Sequence, residues 1–200
     1  MGEVKRTVEA TERGIGREVA YFAPGEGGRS LWVLGELVVC KTKSEQTGGA
    51  YSLFEVVTQP GSGPPPHVQH REDEAFYVLE GEYEFLVEGH TFRAGVGALL
   101  YVPRGNLHAH RNTGEGVGRM LVSQTPGGLH ERFFEEMGRP VQGEVGSRFF
   151  QGQPDAESVV ATAAKYGIEI PSPIEEETQS DDALRAAAPW SARSIPRENA

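Results

Sequence analysis

Three residues of this 200-residue chain have types and spacing suited to chemistry: His67, Glu74 and His108. His67 and Gln69 lie two apart, so on a strand their side chains share one face. The charged run at residues 70–73 suits a turn. Beyond it Glu74, Phe76 and Val78 alternate with Ala75, Tyr77 and Leu79, which predicts a strand with Glu74 on one face. Residues 101–106 end another strand in a turn, with Gly105 free to take a positive φ. His108 then stands near the start of a strand over 107–111. If all three strands face one interior, His67, Glu74 and His108 converge. Two imidazoles and one carboxylate with open coordination positions suit a divalent metal and non-haem iron oxygen chemistry.

Gln69 offers only a neutral amide oxygen to that point, a weaker ligand than imidazole for late transition metals. His110 shares the inward face with His108, about 6 to 7 Å further along the strand. It either lines the pocket or replaces the missing imidazole, and the first is the reading adopted. Phe76, Val78 and Tyr101 are read as pocket wall, and Leu99 as core. His70, an odd number of residues from His67, points away to solvent, and His90 is a solvated turn residue. His130, beside Glu131 and Arg132, reads as a polar helix edge and receives no role. Asn112 is read as holding a turn. Cys40, the only cysteine, sits in the apolar run 37–40 as a buried, inert thiol. No serine or cysteine stands in a nucleophile setting with a base in view, which argues against covalent hydrolysis.

The elements that must position these residues are mostly strands. Residues 30–41 read as a bent strand or a hairpin around Gly35 and Glu36, 50–59 as a strand, and 83–87 with 91–93 as a hairpin across residues 88–90. Residues 117–124 supply a late strand. Pro64, Pro65 and Pro66 have no backbone donors, so they suit an edge entering a barrel. After Pro126 the period changes: Leu129, Phe133 and Met137 recur every four residues, with Gly138 as a stop. Asp155 can cap a second helix that runs to Gly167. The division is an N-terminal arm over 1–29, a β-barrel over 30–125, a helical extension over 126–170 and an acidic, Ala-rich tail over 171–200, where Trp190 could dock.

The stretch from Gly61 to Asn112 resembles the two signature motifs of the cupin superfamily. Gly61, His67, Gln69, Glu74 and Gly81 match the first motif, with Gln69 where the family usually has a second histidine. Gly97, Pro103, Gly105, His108 and Asn112 match the second. The resemblance implies an all-β double-stranded β-helix, a jelly-roll barrel, with the helices packed outside. PPPHVQHREDEAFYVLEGE, VPRGNLHAHRNTG and ERFFEE look most like the small proteins of the quercetin 2,3-dioxygenase-like group. That likeness implies a divalent metal (iron, nickel, manganese or zinc) held by His67, Glu74 and His108. It also implies an aromatic or enol substrate, from whose hydroxyl Glu74 could take a proton. The alternative is a non-catalytic or oxygen-independent cupin that binds a small molecule as a sensor, carrier or isomerase-like protein.

Composition bounds the partners. Twenty-nine acidic residues against nineteen basic ones give a formal net charge of −10, which argues against nucleic acid or an anionic membrane. Residues 1–14 lack an apolar signal region and no stretch reaches the length of a membrane span, which predicts a cytoplasmic protein. The apolar run 31–34 needs cover, and pairing with a second copy would supply it, so a homodimer is predicted.

Overall fold

The computed structural model describes residues 21–22, 28–141 and 155–171. Its elements in chain order are β1 (Ser30–Val33), β2 (Glu36–Thr42), the short helix α1 (Ser44–Thr47), β3 (Ser52–Thr58), β4 (His67–Gln69) and β5 (Asp73–Glu80). Then come β6 (Tyr83–Val87), β7 (His90–Ala94), β8 (Leu99–Val102), β9 (Leu107–Asn112) and β10 (Gly118–Thr125). The extension supplies α2 (Leu129–Met137), β11 (Arg139–Pro140), α3 (Ala156–Lys165) and β12 (Ile168–Glu169). Two antiparallel sheets face each other. One has the order β11-β1-β2-β3-β10-β5-β8 and the other β12-β4-β9-β6-β7. This is the expected jelly roll.

Alternation drives the strands into the two sheets. Phe54 and Val56 of β3, Phe76 and Val78 of β5, and Met120 and Val122 of β10 point inward and are buried. Opposite them Tyr83 and Phe85 of β6 close the core from the second sheet. Phe76 and Phe85 meet across the sheets at 5.3 Å between ring centroids. The tight hairpins require left-handed backbone: Leu34 and Gly35 both have positive φ between β1 and β2, as do Glu88 and Gly89 between β6 and β7.

The strand parity of β8 corrects the sequence reading. β5 pairs with β8 as Glu74↔Val102, Ala75↔Tyr101, Phe76↔Leu100 and Tyr77↔Leu99. Residues opposite each other across a ladder share a face, so Leu100 and Val102 follow Glu74 and Phe76 inward. Leu99 and Tyr101 go outward, where they are 67% and 59% exposed. Tyr101 is therefore not pocket wall, and Leu99 is not core. Val78 is fully buried but lies in the core beyond the cavity.

The extension does more than pack outside. β11 pairs with β1 and β12 with β4, so one short strand of the extension adds to each sheet. Leu31 and Val33 are consequently buried by this chain itself, and the edge that motivated a second copy is already covered. Among the described residues no helix is long and apolar enough to cross a membrane. Most of the arm over 1–29, nearly all of the tail over 171–200, and Trp190 fall outside the described residues.

The segment before β4 is fixed by close backbone approach. Gly61 N–H donates to Asn112 O at 2.8 Å, and Asn112 N–H donates to Ser62 O at 3.0 Å, so the chain runs beside β9 before the prolines. A Cβ on Gly63 would lie 1.9 Å from the His110 carbonyl oxygen and 2.9 Å from its carbon. Backbone cannot swing aside as a side chain can. Gly63→Ala is expected to destabilise by about 1–3 kcal/mol, in line with overpacked cores. A urea midpoint equal to the parent's would contradict this. Asn112, fully buried, does hold a turn: its Nδ2 donates to Thr58 O and Gly116 O, and its Oδ1 accepts from Gly114 N–H.

Candidate metal centre

His67, Glu74 and His108 converge as the strand faces require. His67 and His108 are paired across β4 and β9, and Glu74 reaches them from β5 in the other sheet. One donor atom from each lies within 4.8 Å of the others. On the Glu74 Oε2 side, His108 Nε2 stands at 2.7 Å and His67 Nε2 at 3.9 Å. Two imidazoles and a carboxylate at this separation fit a divalent cation in donor type and in charge.

Backbone carbonyls aim both rings. His67 Nδ1–H donates to Pro65 O and His108 Nδ1–H donates to Asn106 O, each at 3.0 Å, which leaves both Nε2 atoms facing inward. A second hydrogen bond of this kind fixes ring orientation in metal-binding histidines. The triple proline thus has a function at the site: its middle carbonyl orients His67.

Electrostatics divides the group into one charged pair and neutral neighbours. Burial alone would push the Glu74 carboxyl up. The hydrogen bond from His108 and the nearby imidazoles overcome it and hold Glu74 well below the usual carboxylate range. His108 is raised, because the Glu74 carboxylate outweighs the burial that opposes its charge. His67 is pushed down to about 3, first by burial and then by the charge on His108. A neutral His67 keeps its lone pair for a ligand role.

Helix α2 brings a third imidazole that the sequence reading passed over. His130 is 7% exposed and lines the same cavity as His67 and Glu74. Its Nδ1 lies 3.8 Å from Glu74 Oε1 and is hydrogen-bonded to the Gln69 side-chain amide. Burial pushes the ring toward its neutral form. Gln69 faces inward as expected, but its amide is engaged with His130. A signal for His130 was available: it stands three, four and seven residues before Phe133, Phe134 and Met137, the spacing of one helix face.

Glu72 explains why α2 enters here. The residue is fully buried, and its carboxylate accepts from Leu129 N–H at 2.9 Å and from His130 N–H at 3.0 Å. It serves α2 as a side-chain cap from another element, since the N-cap position is Gly128. Burial pushes Glu72 up to about 7. Glu131 adds a second tether, accepting from Ser44 N–H and from the Ser52 hydroxyl at 2.9 and 3.0 Å.

Further down the same cavity, of about 70 Å³, His110 Nε2 meets Glu36 Oε1 at 3.1 Å, and Thr58 Oγ1 donates to the same oxygen at 2.7 Å. His110 is buried among Phe76, Tyr83 and Phe85, and lines the pocket as expected. The other walls are apolar, with Val38, Val56, Val122, Phe133 and Ile168 among them. His70 is exposed against Glu169, away from the site. Cys40 is half-buried, and burial pushes its thiol up to about 11, as an inert thiol requires.

The family described as Cupin domain matches residues 54–123, from β3 through β10. That span is similar to the cupin domain family. All three converging donors lie inside it, whereas His130 and Glu36 stand outside it. Among curated proteins, germin-like protein subfamily 2 member 2 of Arabidopsis thaliana is 36% identical over 84 residues, covering 38% of each chain. Dimethylsulfoniopropionate lyase DddQ of Ruegeria pomeroyi is 42% identical over 57 residues, covering 28% of each. The chain spans well under half the length of these curated relatives. Among solved structures, KdgF from Halomonas sp. aligns with a TM-score of 0.48 at 19% identity, over 54% of this chain and 94% of that one.

Proposed function

We propose that the cupin domain is a metal-dependent enzyme of the dioxygenase kind, acting on a small aromatic or enol substrate. One observation carries this reading: two imidazoles and an ionised carboxylate come within 4.8 Å of one another at the wall of a mostly apolar cavity. A bound divalent cation would supply a Lewis acid and, for a redox metal, a site for dioxygen. His67, Glu74 and His108 would hold it.

The remaining steps belong to side chains. The apolar walls at Val38, Val56, Phe76 and Val122 exclude water and favour a flat, uncharged substrate body. Glu74, ionised and lining the cavity, accepts the proton of a substrate hydroxyl. The assay begins with protein loaded separately with iron(II), manganese, nickel and zinc under nitrogen. Flavonols and simpler enols are then mixed in, oxygen is admitted and its uptake is measured. Uptake stoichiometric with substrate loss supports the reading, and none with any metal ends it.

A second reading rests on the Glu36–His110 pair. A buried carboxylate–imidazole couple facing the same cavity can move a proton without oxygen, as an isomerase or lyase requires. Substrate loss under nitrogen, sensitive to His110→Gln, would favour this chemistry.

A further inference from the structure

The first cupin motif lacks its second histidine, and the residue in that place, Gln69, is tied directly to another histidine. We propose that His130 of α2 is a protein ligand of the metal, standing in for the imidazole that Gln69 cannot offer. The metal site is then shared between the barrel and its C-terminal extension. This inference rests on the metal-dependent reading above.

Four observations meet at this residue. His130 Nδ1 is 3.8 Å from Glu74 Oε1, on the opposite carboxylate oxygen from His67 and His108. It is not one of the three donors that lie mutually within 4.8 Å, so it would join them through the second oxygen of Glu74. The Gln69 amide is on the same nitrogen, so the lone pair that meets the amide is turned toward the site and not toward the protein exterior. The ring lines the same cavity as His67 and Glu74.

The helix is also held as a ligand-bearing element needs to be. Glu72, two residues before Glu74 on the same chain segment, accepts the backbone N–H of His130 itself. Glu131, the next residue, is anchored to Ser44 and Ser52. Phe134 packs on the ring at 4.4 Å between centroids, and Phe133 meets it edge-on at 5.7 Å. In the metal-free protein the Gln69 amide satisfies the ring's Nδ1.

Gln69 then becomes a positioning residue. Its amide holds the His130 ring in the metal-free protein and yields the lone pair when a cation arrives. His110, the other histidine near the cluster, is engaged with Glu36 and remains a wall residue.

The test exchanges which element carries the imidazole. His130→Phe keeps an aromatic ring against Phe134 and removes both nitrogens, and its metal-free urea midpoint monitors folding. Chelator competition with zinc and manganese gives affinity, and pulsed EPR of the copper(II)-loaded protein counts bound imidazoles. His130→Phe should lose one imidazole and at least ~10-fold in affinity, since even outer-shell losses cost that much. Adding Gln69→His to His130→Phe should restore both, whereas His110→Gln should change neither. An unchanged imidazole count and affinity in His130→Phe, with the parent loading metal, overturns the His130 assignment alone. A parent protein that binds none of these metals overturns the metal-dependent reading and this one with it.

Discussion

Glu74→Gln is expected to abolish metal loading while leaving the fold in place. The substitution preserves shape but removes the carboxylate charge that His108, His67 and His130 surround. Two neutral imidazoles without the anion form a much poorer cation site. Losses among outer-shell partners alone cost roughly 10–100-fold in metal affinity, so loss of the central carboxylate should cost more than about 100-fold. The consequence is visible without any substrate. A cation at 100 times its Kd stabilises the parent by about 2.7 kcal/mol. The variant should show no metal-dependent rise in Tm at the same concentration. A rise equal to the parent's would remove Glu74 from the site.

The largest effect on stability is expected from Phe76→Ala. Phe76 is buried between the sheets, touching Phe85 at 5.3 Å and standing 6.1 Å and 5.7 Å from the rings of His108 and His110. Its removal joins a new void to an existing cavity. Phenylalanine-to-alanine changes in cores cost about 3–5 kcal/mol, a large share of the roughly 5–15 kcal/mol that holds a domain folded. The urea midpoint should fall accordingly, and metal affinity should fall with it because the His108 ring loses a packing partner. A cost below about 1 kcal/mol would mean that the site collapses around the deletion more completely than cores usually do.

The spacing of His67, Glu74 and His108 carried the centre of this protein in the sequence. Period-two alternation on β4, β5 and β9 places side chains on faces by local geometry, so the convergence of the three donors was legible without coordinates. The same rule put His110 inside and His70 outside, and both stand so. Helix caps were legible too: Asp155 accepts from Ser158 N–H at 2.9 Å, a contact made within one turn.

Tertiary structure decided what local geometry leaves free. Strand β8 reads equally well with either face inward, and only its register against β5 turned Leu100 and Val102 in and Tyr101 out. The charged run before β5 is a turn by composition, yet Glu72 is drawn out of water by two backbone donors of α2, 57 and 58 residues further on. His130 is a polar residue on a short helix until that helix is docked. Where α2 docks is set by Glu72, Glu131 and the Phe54–Phe134 contact together, and none of these contacts is encoded by spacing along the chain. The barrel's three donors follow from periodicity. The histidine beside them follows from packing.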